Sequence, residues 1–226
     1  MKKNTLLLTF FFILTLFACQ SDTTIRTSSV NSNKESLAQN NAADSIKTIV
    51  SDPPLSESQK QIIAPIADTL IHWLAQKKIE PIANYVHPQK GLRFSPYSYV
   101  ELVDDRVLMP ADFEGLQADP KAYMWGFEDG IGDPIFLSFE HYYQRYIYNK
   151  DYAKEAQIAY NAILGQGNTI NNRKKIYPQA IFVEYYISGT KQFGEMDWGS
   201  LTLVFEESKA SQAWFLVGII HGEWTI

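Results

Sequence analysis

His221 and Glu223 stand two residues apart in the apolar run Trp214-Phe-Leu-Val-Gly-Ile-Ile-His-Gly-Glu-Trp224. In an extended strand that spacing puts both side chains on one face. An imidazole beside a carboxylate is a candidate acid–base couple, or a plain ion pair at a sheet edge. Strict alternation adds Phe215, Val217 and Ile219 to the same face. Glu184 is a second candidate, inside Ala180-Ile-Phe-Val-Glu-Tyr-Tyr-Ile-Ser188. With Phe182 and Tyr186 as face neighbours, desolvation would raise its pKa unless a partner such as Arg93 compensated. His87 ends a helical pattern before Pro88, where the dipole favours a cation and a capping role. Glu184, His221, Glu223 and His87 are the candidate catalytic residues, each with a structural alternative. His72 and His141 fall on helical stretches and read as surface or half-buried.

Other patterns exclude more than they offer. Asp129, Asp133 and Glu140 match positions 1, 5 and 12 of an EF-hand loop, but Ile131 replaces the position-3 ligand and Pro134 the turn glycine. Asp129-Gly130 reads instead as a tight turn feeding a strand at Ile135–Leu137. Gly165-x-Gly167 lacks the third glycine and the preceding strand of a dinucleotide loop. There is no His-Glu-x-x-His and no Gly-x-Ser-x-Gly. Neither a cofactor nor a metal is expected. Tyr97, Tyr99, Tyr185 and Trp125 read as core packing, with pocket lining as the alternative.

Cys19 is the sole cysteine. It follows a positive Met1-Lys2-Lys3 start and an apolar run from Leu6 to Phe17. That run is shorter than the roughly 20 residues of a spanning helix and has the flanks of a signal peptide. Leu16-Phe17-Ala18-Cys19 resembles the bacterial lipobox. The resemblance implies cleavage before Cys19, acylation of its sulfur and new amine, and residence in the bacterial cell envelope. Two or three acyl chains anchor stably, at about 0.8 kcal/mol per buried methylene. In proteobacterial lipoproteins Asp after the cysteine favours inner-membrane retention, so for Gln20 the resemblance implies the outer membrane over the inner. The expected organisation is a signal peptide over 1–18, a lipidated Cys19 with a flexible tether over 19–54, and one domain over 55–226.

Gln20 to Pro54 is rich in Ser, Thr and Asn and has no aromatic residue. As a coil it would reach about 30–35 Å. The chain has 20 basic and 25 acidic side chains, and cleavage removes Lys2 and Lys3, leaving 18 against 25, a net charge of −7. An acidic chain without basic runs argues against nucleic acid and against electrostatic attraction to anionic lipid. The lipid is therefore the expected membrane contact. The remaining partner is an unidentified small ligand or envelope protein.

The elements that must position these residues follow from periodicity. Ile62, Ile63, Ile66, Leu70, Trp73 and Leu74 form a helical stripe behind an N-cap at Ser56. Pro65 fits only its first turns or a kink. A short helix is expected over Pro81–Val86, strands near Leu92–Phe94, Tyr97–Val100 and Arg106–Met109, and a helix over Phe139–Tyr148. Ala153–Leu164 leans helical. Ala180–Ser188, Ser200–Glu206 and Trp214–Trp224 alternate as strands. Helices followed by long antiparallel strands make an α+β pattern, N-terminal helices on a curved antiparallel sheet. This order resembles the NTF2-like (cystatin-like) cone. The resemblance implies a binding pocket, an acid–base enzyme in a hydrophobic cavity, or a structural component of an envelope assembly. His87-Pro-x-x-Gly91-x-Arg93-Phe-Ser-Pro-Tyr97 and Trp125-Gly-x-x-Asp129-Gly are also similar to phrases of uncharacterised bacterial secreted proteins, which imply no activity. Replacing the acylated sulfur is the direct test of the anchor. Cys19→Ser should move the protein from the membrane to the soluble fraction on cell fractionation, and a membrane-bound variant with a cleaved signal would end the lipid-anchor reading.

Overall fold

The computed structural model describes residues 50–225. The expected signal peptide, the expected acylation site Cys19 and the expected tether up to residue 49 lie outside the described residues.

Chain order begins with β1 (Val50–Ser51) and α1 (Glu57–Ala75). Ser56 caps α1 reciprocally: its hydroxyl accepts the Gln59 amide while the Gln59 side chain accepts the Ser56 amide. The helix runs through Pro65, which faces solvent, and Thr69 donates to the Pro65 carbonyl at 2.8 Å. The buried stripe is Ile63, Ala67, Leu70, Ile71 and Leu74. Ile62 is exposed, so the face is rotated from the expected one. A 3₁₀ turn over Glu80–Tyr85 takes the place of the short helix expected over Pro81–Val86.

Next come β2 (Leu92–Ser95), β3 (Arg106–Leu108), β4 (Tyr123–Phe127) and β5 (Pro134–Leu137). Tyr97–Val100 is irregular, not the expected strand. Pro96 has no N–H to donate, and side chains take over the loop, as described below. Ser138 caps α2 (Phe139–Tyr142), which continues as a π-helical turn to Ile147. Only α3 (Tyr152–Glu155) of the region leaning helical is a helix. β6 (Gln157–Tyr160) and β7 (Ala162–Ile163) replace the rest, because β8 offers β6 a free edge. α4 (Arg173–Ile176) precedes β8 (Ile181–Ile187), β9 (Gly199–Glu207) and β10 (Trp214–Glu223).

The fold is α+β, with a six-stranded sheet in the order β3-β2-β10-β9-β8-β6. All pairings are antiparallel except β10 with β2. The sheet is buried on both faces. Leu201, Leu203 and Phe205 of β9 and Val183 and Tyr185 of β8 pack with the stripe of α1 and the aromatics of α2. Phe182, Val204, Val217 and Ile220 form a smaller core on the other face with Val100, Tyr177 and Ala180. A bulge between Leu216 and Gly218 changes the phase of β10. Leu216 and Ile219 therefore share the helix side, and Val217 is displaced to the other.

The first strand lies inside what the composition marks as tether. Val50 and Ser51 pair with Ile163 and Ala162. Val50–Pro53 is held to the sheet because Asn161 clasps this segment. Its carbonyl accepts the Asp52 amide at 2.8 Å, and its side chain donates to Pro53 at 3.0 Å and accepts the Phe182 amide at 3.0 Å. Asn161 does this at φ 52°, a left-handed conformation that Asn tolerates and Ala resists. Asn161→Ala should lower unfolding free energy by about 2–4 kcal/mol, from two lost hydrogen bonds and the backbone strain. Asn161→Gly should cost about 1 kcal/mol less. Urea denaturation of both variants checks the difference.

Candidate ligand-binding site

Three irregular segments meet at one end of the sheet. The first is Pro96–Asp105, which leaves β2. Arg93 organises it by donating to the carbonyls of Glu101, Leu102 and Asp105 at 3.0–3.2 Å. Ser95 donates to Asp105 Oδ2, and the Glu101 amide donates to the same oxygen at 3.0 Å. The second is the turn between β4 and β5, Glu128–Asp133, tied by Glu128 N–H to the Asp133 carbonyl at 2.8 Å. The third is the loop between β7 and α4, whose Asn172 side chain bonds both backbone groups of Val100, at 2.7 and 3.0 Å.

Between them lies an open cavity of about 460 Å³. Its polar wall is Glu101, Asp104, Asp105, Glu128 and Asp129, with no Lys, Arg or His among the described lining residues. Tyr97, Tyr99, Phe127 and Ile170 provide the apolar part. Tyr99, Phe127 and Ile170 are exposed, at 42%, 44% and 72%.

The carboxylates are fixed by different means. Glu128 accepts the hydroxyls of Tyr97 and, at 2.8 Å, Tyr146. Burial, then the bond to Glu128, pushes Tyr97 up to about 12, so it stays a donor. Asp129 Oδ2 lies 2.6 Å from the Thr225 hydroxyl and 2.7 Å from that of Thr169. The Thr225 bond is the main reason Asp129 stays below the usual carboxylate range. Asp105 behaves in the opposite way. It is 6% exposed, and burial raises it to about 7 against the pull of Ser95, the Glu101 amide and Arg93. It is the one wall carboxyl poised to change charge near neutrality.

The four sequence candidates lie elsewhere. His221 and Glu223 do meet, with Nε2 3.3 Å from Oε2, but on the helix side of the sheet, since the bulge changes the expected partners on their face. His221 is fully buried with the Tyr146 ring edge-on at 5.9 Å, and neither ring nitrogen has an aligned hydrogen-bond partner among the described residues. Arg145 grips both oxygens of Glu223, at 2.9 and 2.6 Å. Burial opposes ionisation of Glu223, but His221 and Arg145 outweigh it and hold it at about 2. A carboxylate so committed is a poor proton acceptor. The couple is a packed charge cluster away from the cavity.

Glu184 is buried on the opposite face, where it accepts the Leu164 amide at 2.7 Å. Burial raises its pKa, and its nearby cation is Arg173, not the expected Arg93. His87 caps a turn rather than a helix: its Nδ1 accepts the Gln89 and Lys90 amides at 3.2 Å. Burial, then Lys90, depresses its pKa, which keeps the accepting nitrogen unprotonated. Gly91 closes that turn at φ 69°, where a Cβ would come within 2.7 Å of the Leu108 carbonyl. Of the aromatics, Tyr97 and Tyr99 line the cavity, while Trp125 and Tyr185 are core. Glu140 pairs with Lys77 at 2.6 Å and does not converge with Asp129.

Sequence reasoning missed Asp105 and Glu128. Glu128 carried a signal, since it precedes the Asp129-Gly130 turn. Asp105 carried none, because its importance comes from Ser95 across the loop. No protein-family model matches the chain, and no curated protein matches it in sequence.

The raised pKa of Asp105 has a defined consequence. The folded state holds its proton between about pH 4 and 7, where the unfolded chain has released it. Asp105 therefore favours folding below pH 4, and its contribution falls as pH rises toward 7. Asp105→Asn retains an acceptor for Ser95 and the Glu101 amide but cannot ionise. Urea midpoints measured across this window should show wild type losing stability relative to the variant as pH rises. A constant difference would contradict the assignment.

Proposed function

We propose that the protein is a lipid-anchored protein of the bacterial cell envelope whose α+β domain binds a ligand without transforming it. The observation that carries the binding half is the composition of the cavity. A wall of five carboxylates beside exposed Tyr99, Phe127 and Ile170 suits a ligand with amine or guanidinium groups and an apolar face. Cations over aromatic faces gain further. The signal-peptide pattern and Cys19 support the anchoring half. An N-terminal helix on a curved sheet whose last strand is central supports a likeness to the NTF2-like cone.

Binding is favoured over chemistry because the candidate acid–base groups are engaged in packing. Glu223 is committed to Arg145, His87 to its turn and Glu184 to Leu164. The cavity's own titrating group, Asp105, supports acid–base catalysis as a second reading.

Titration calorimetry of the full chain with spermidine, against an uncharged polyol of similar length, tests the proposal. Spermidine should bind, with affinity falling as salt rises, and the polyol should not. Glu101 and Asp104 are exposed, so the Glu101→Gln/Asp104→Asn double variant should fold normally. Losing two screened charge pairs should weaken spermidine binding about tenfold. Equal binding of polyol and amine would refute the cationic preference.

A further inference from the structure

Arg173 is the least satisfied charge among the described residues. It opens α4, is 2% exposed, and neither of its terminal nitrogens has a hydrogen-bond partner. Its guanidinium stacks 4.6 Å from the centre of the Phe182 ring, which fixes its plane but satisfies no N–H. Glu184 is close enough to favour the charge but forms no ion pair with Arg173, and one of its oxygens is committed to Leu164. Glu184 and Asp52 offset only part of the cost of burying a guanidinium. The five N–H donors of an arginine match an oxyanion in a planar fork.

Arg173 forms part of the wall of a second cavity, about 280 Å³, on the far side of the Asn168–Ile170 loop from the acidic one. Its neighbours there are donors of the kind that complete an oxyanion site: Gln166, Asn168, Asn171 and Lys174. Lys174 lies 4.0 Å from Asp52, the one acidic residue among the described lining residues, and over the same Phe182 ring at 5.8 Å. Among the described lining residues two cations face a single acidic side chain, the reverse of the balance next door.

We propose that this cavity is a binding site for an oxyanion, the phosphate or carboxylate group of a ligand, with Arg173 as its bidentate anchor and Lys174 as its second cation. The terminal nitrogens lie beneath the cavity wall out of solvent contact, so binding draws the guanidinium outward along the Phe182 face. The site shares the Asn168–Ile170 wall with the acidic cavity but none of its carboxylates, and it does not rest on that cavity's ligand.

Thermal unfolding of the full chain in inorganic phosphate, acetate and chloride at matched ionic strength reads this directly. Phosphate, or phosphate and acetate together, should raise the melting temperature saturably at low concentration, below the range where phosphate stabilises by exclusion from the surface, and chloride should not. A response to phosphate alone assigns a phosphoryl ligand, and a response to both assigns a carboxylate-sized site. Arg173→Met should weaken the response about tenfold or more. Lys174→Gln, at a partly exposed position, should weaken it less and guards against misfolding of the first variant. If Arg173 serves only as counter-charge to Glu184, wild type will show no anion response, and Glu184→Gln will restore the stability that Arg173→Met loses. That result, or an undiminished response in Arg173→Met, overturns the proposal.

Discussion

Burial of the central sheet on both faces is the constraint on which the rest of the structure depends. β9 and β10 lie between neighbours, and Leu201, Leu203 and Phe205 are sealed on one side while Val204, Val217 and Ile220 are sealed on the other. Each buried aliphatic side chain contributes about 1.5–3 kcal/mol only while its cover stays in place. One cover is regular, made by α1 and the aromatic ladder of α2, with Trp125 stacked on Tyr142 at 4.1 Å. The other is made of irregular chain, the loop after β2 and the segment around α4. Loops over apolar surface must find partners for their backbone groups. Arg93, Asp105, Asn161 and Asn172 supply those partners from their side chains.

That division explains what was legible in the sequence. The regular cover and the last three strands follow from periodicity, and the α+β class follows from their order. Where a residue's environment was set by a partner distant in sequence, periodicity misled. Ala153–Leu164 has a composition that suits either helix or strand, and the free edge of β8 decided it. Val50–Pro53 looks like linker, and Asn161, more than a hundred residues away, recruits it. His221 and Glu223 do share a face, but the bulge at Leu216–Gly218 moves Val217 away and seats the pair against Tyr146 and Arg145.

Buried charge separates structural from functional positions more sharply than residue type does. Glu223 and the exposed Arg145 satisfy each other through two hydrogen bonds, an arrangement that fixes packing. Asp105 and Arg173 are each only partly compensated, and each borders a cavity. For both groups burial disfavours the charged form more than their neighbours favour it. Residues that oppose stability in this way concentrate where something else must be bound.

The two cavities also explain why the polar loop between β7 and α4 is tied down at so many points. Asn168, Thr169 and Ile170 border both cavities. On one side Thr169 bonds Asp129, and on the other Asn171 accepts the Arg173 amide at 3.2 Å while Asn172 locks to Val100. A loop with free backbone would bring the carboxylates of one cavity closer to the cations of the other. Holding opposite charges apart on either side of a short wall requires that wall to be bonded to the sheet and to both flanking segments. The side-chain bonds that made these loops unreadable by periodicity are the same ones that keep two oppositely charged cavities open.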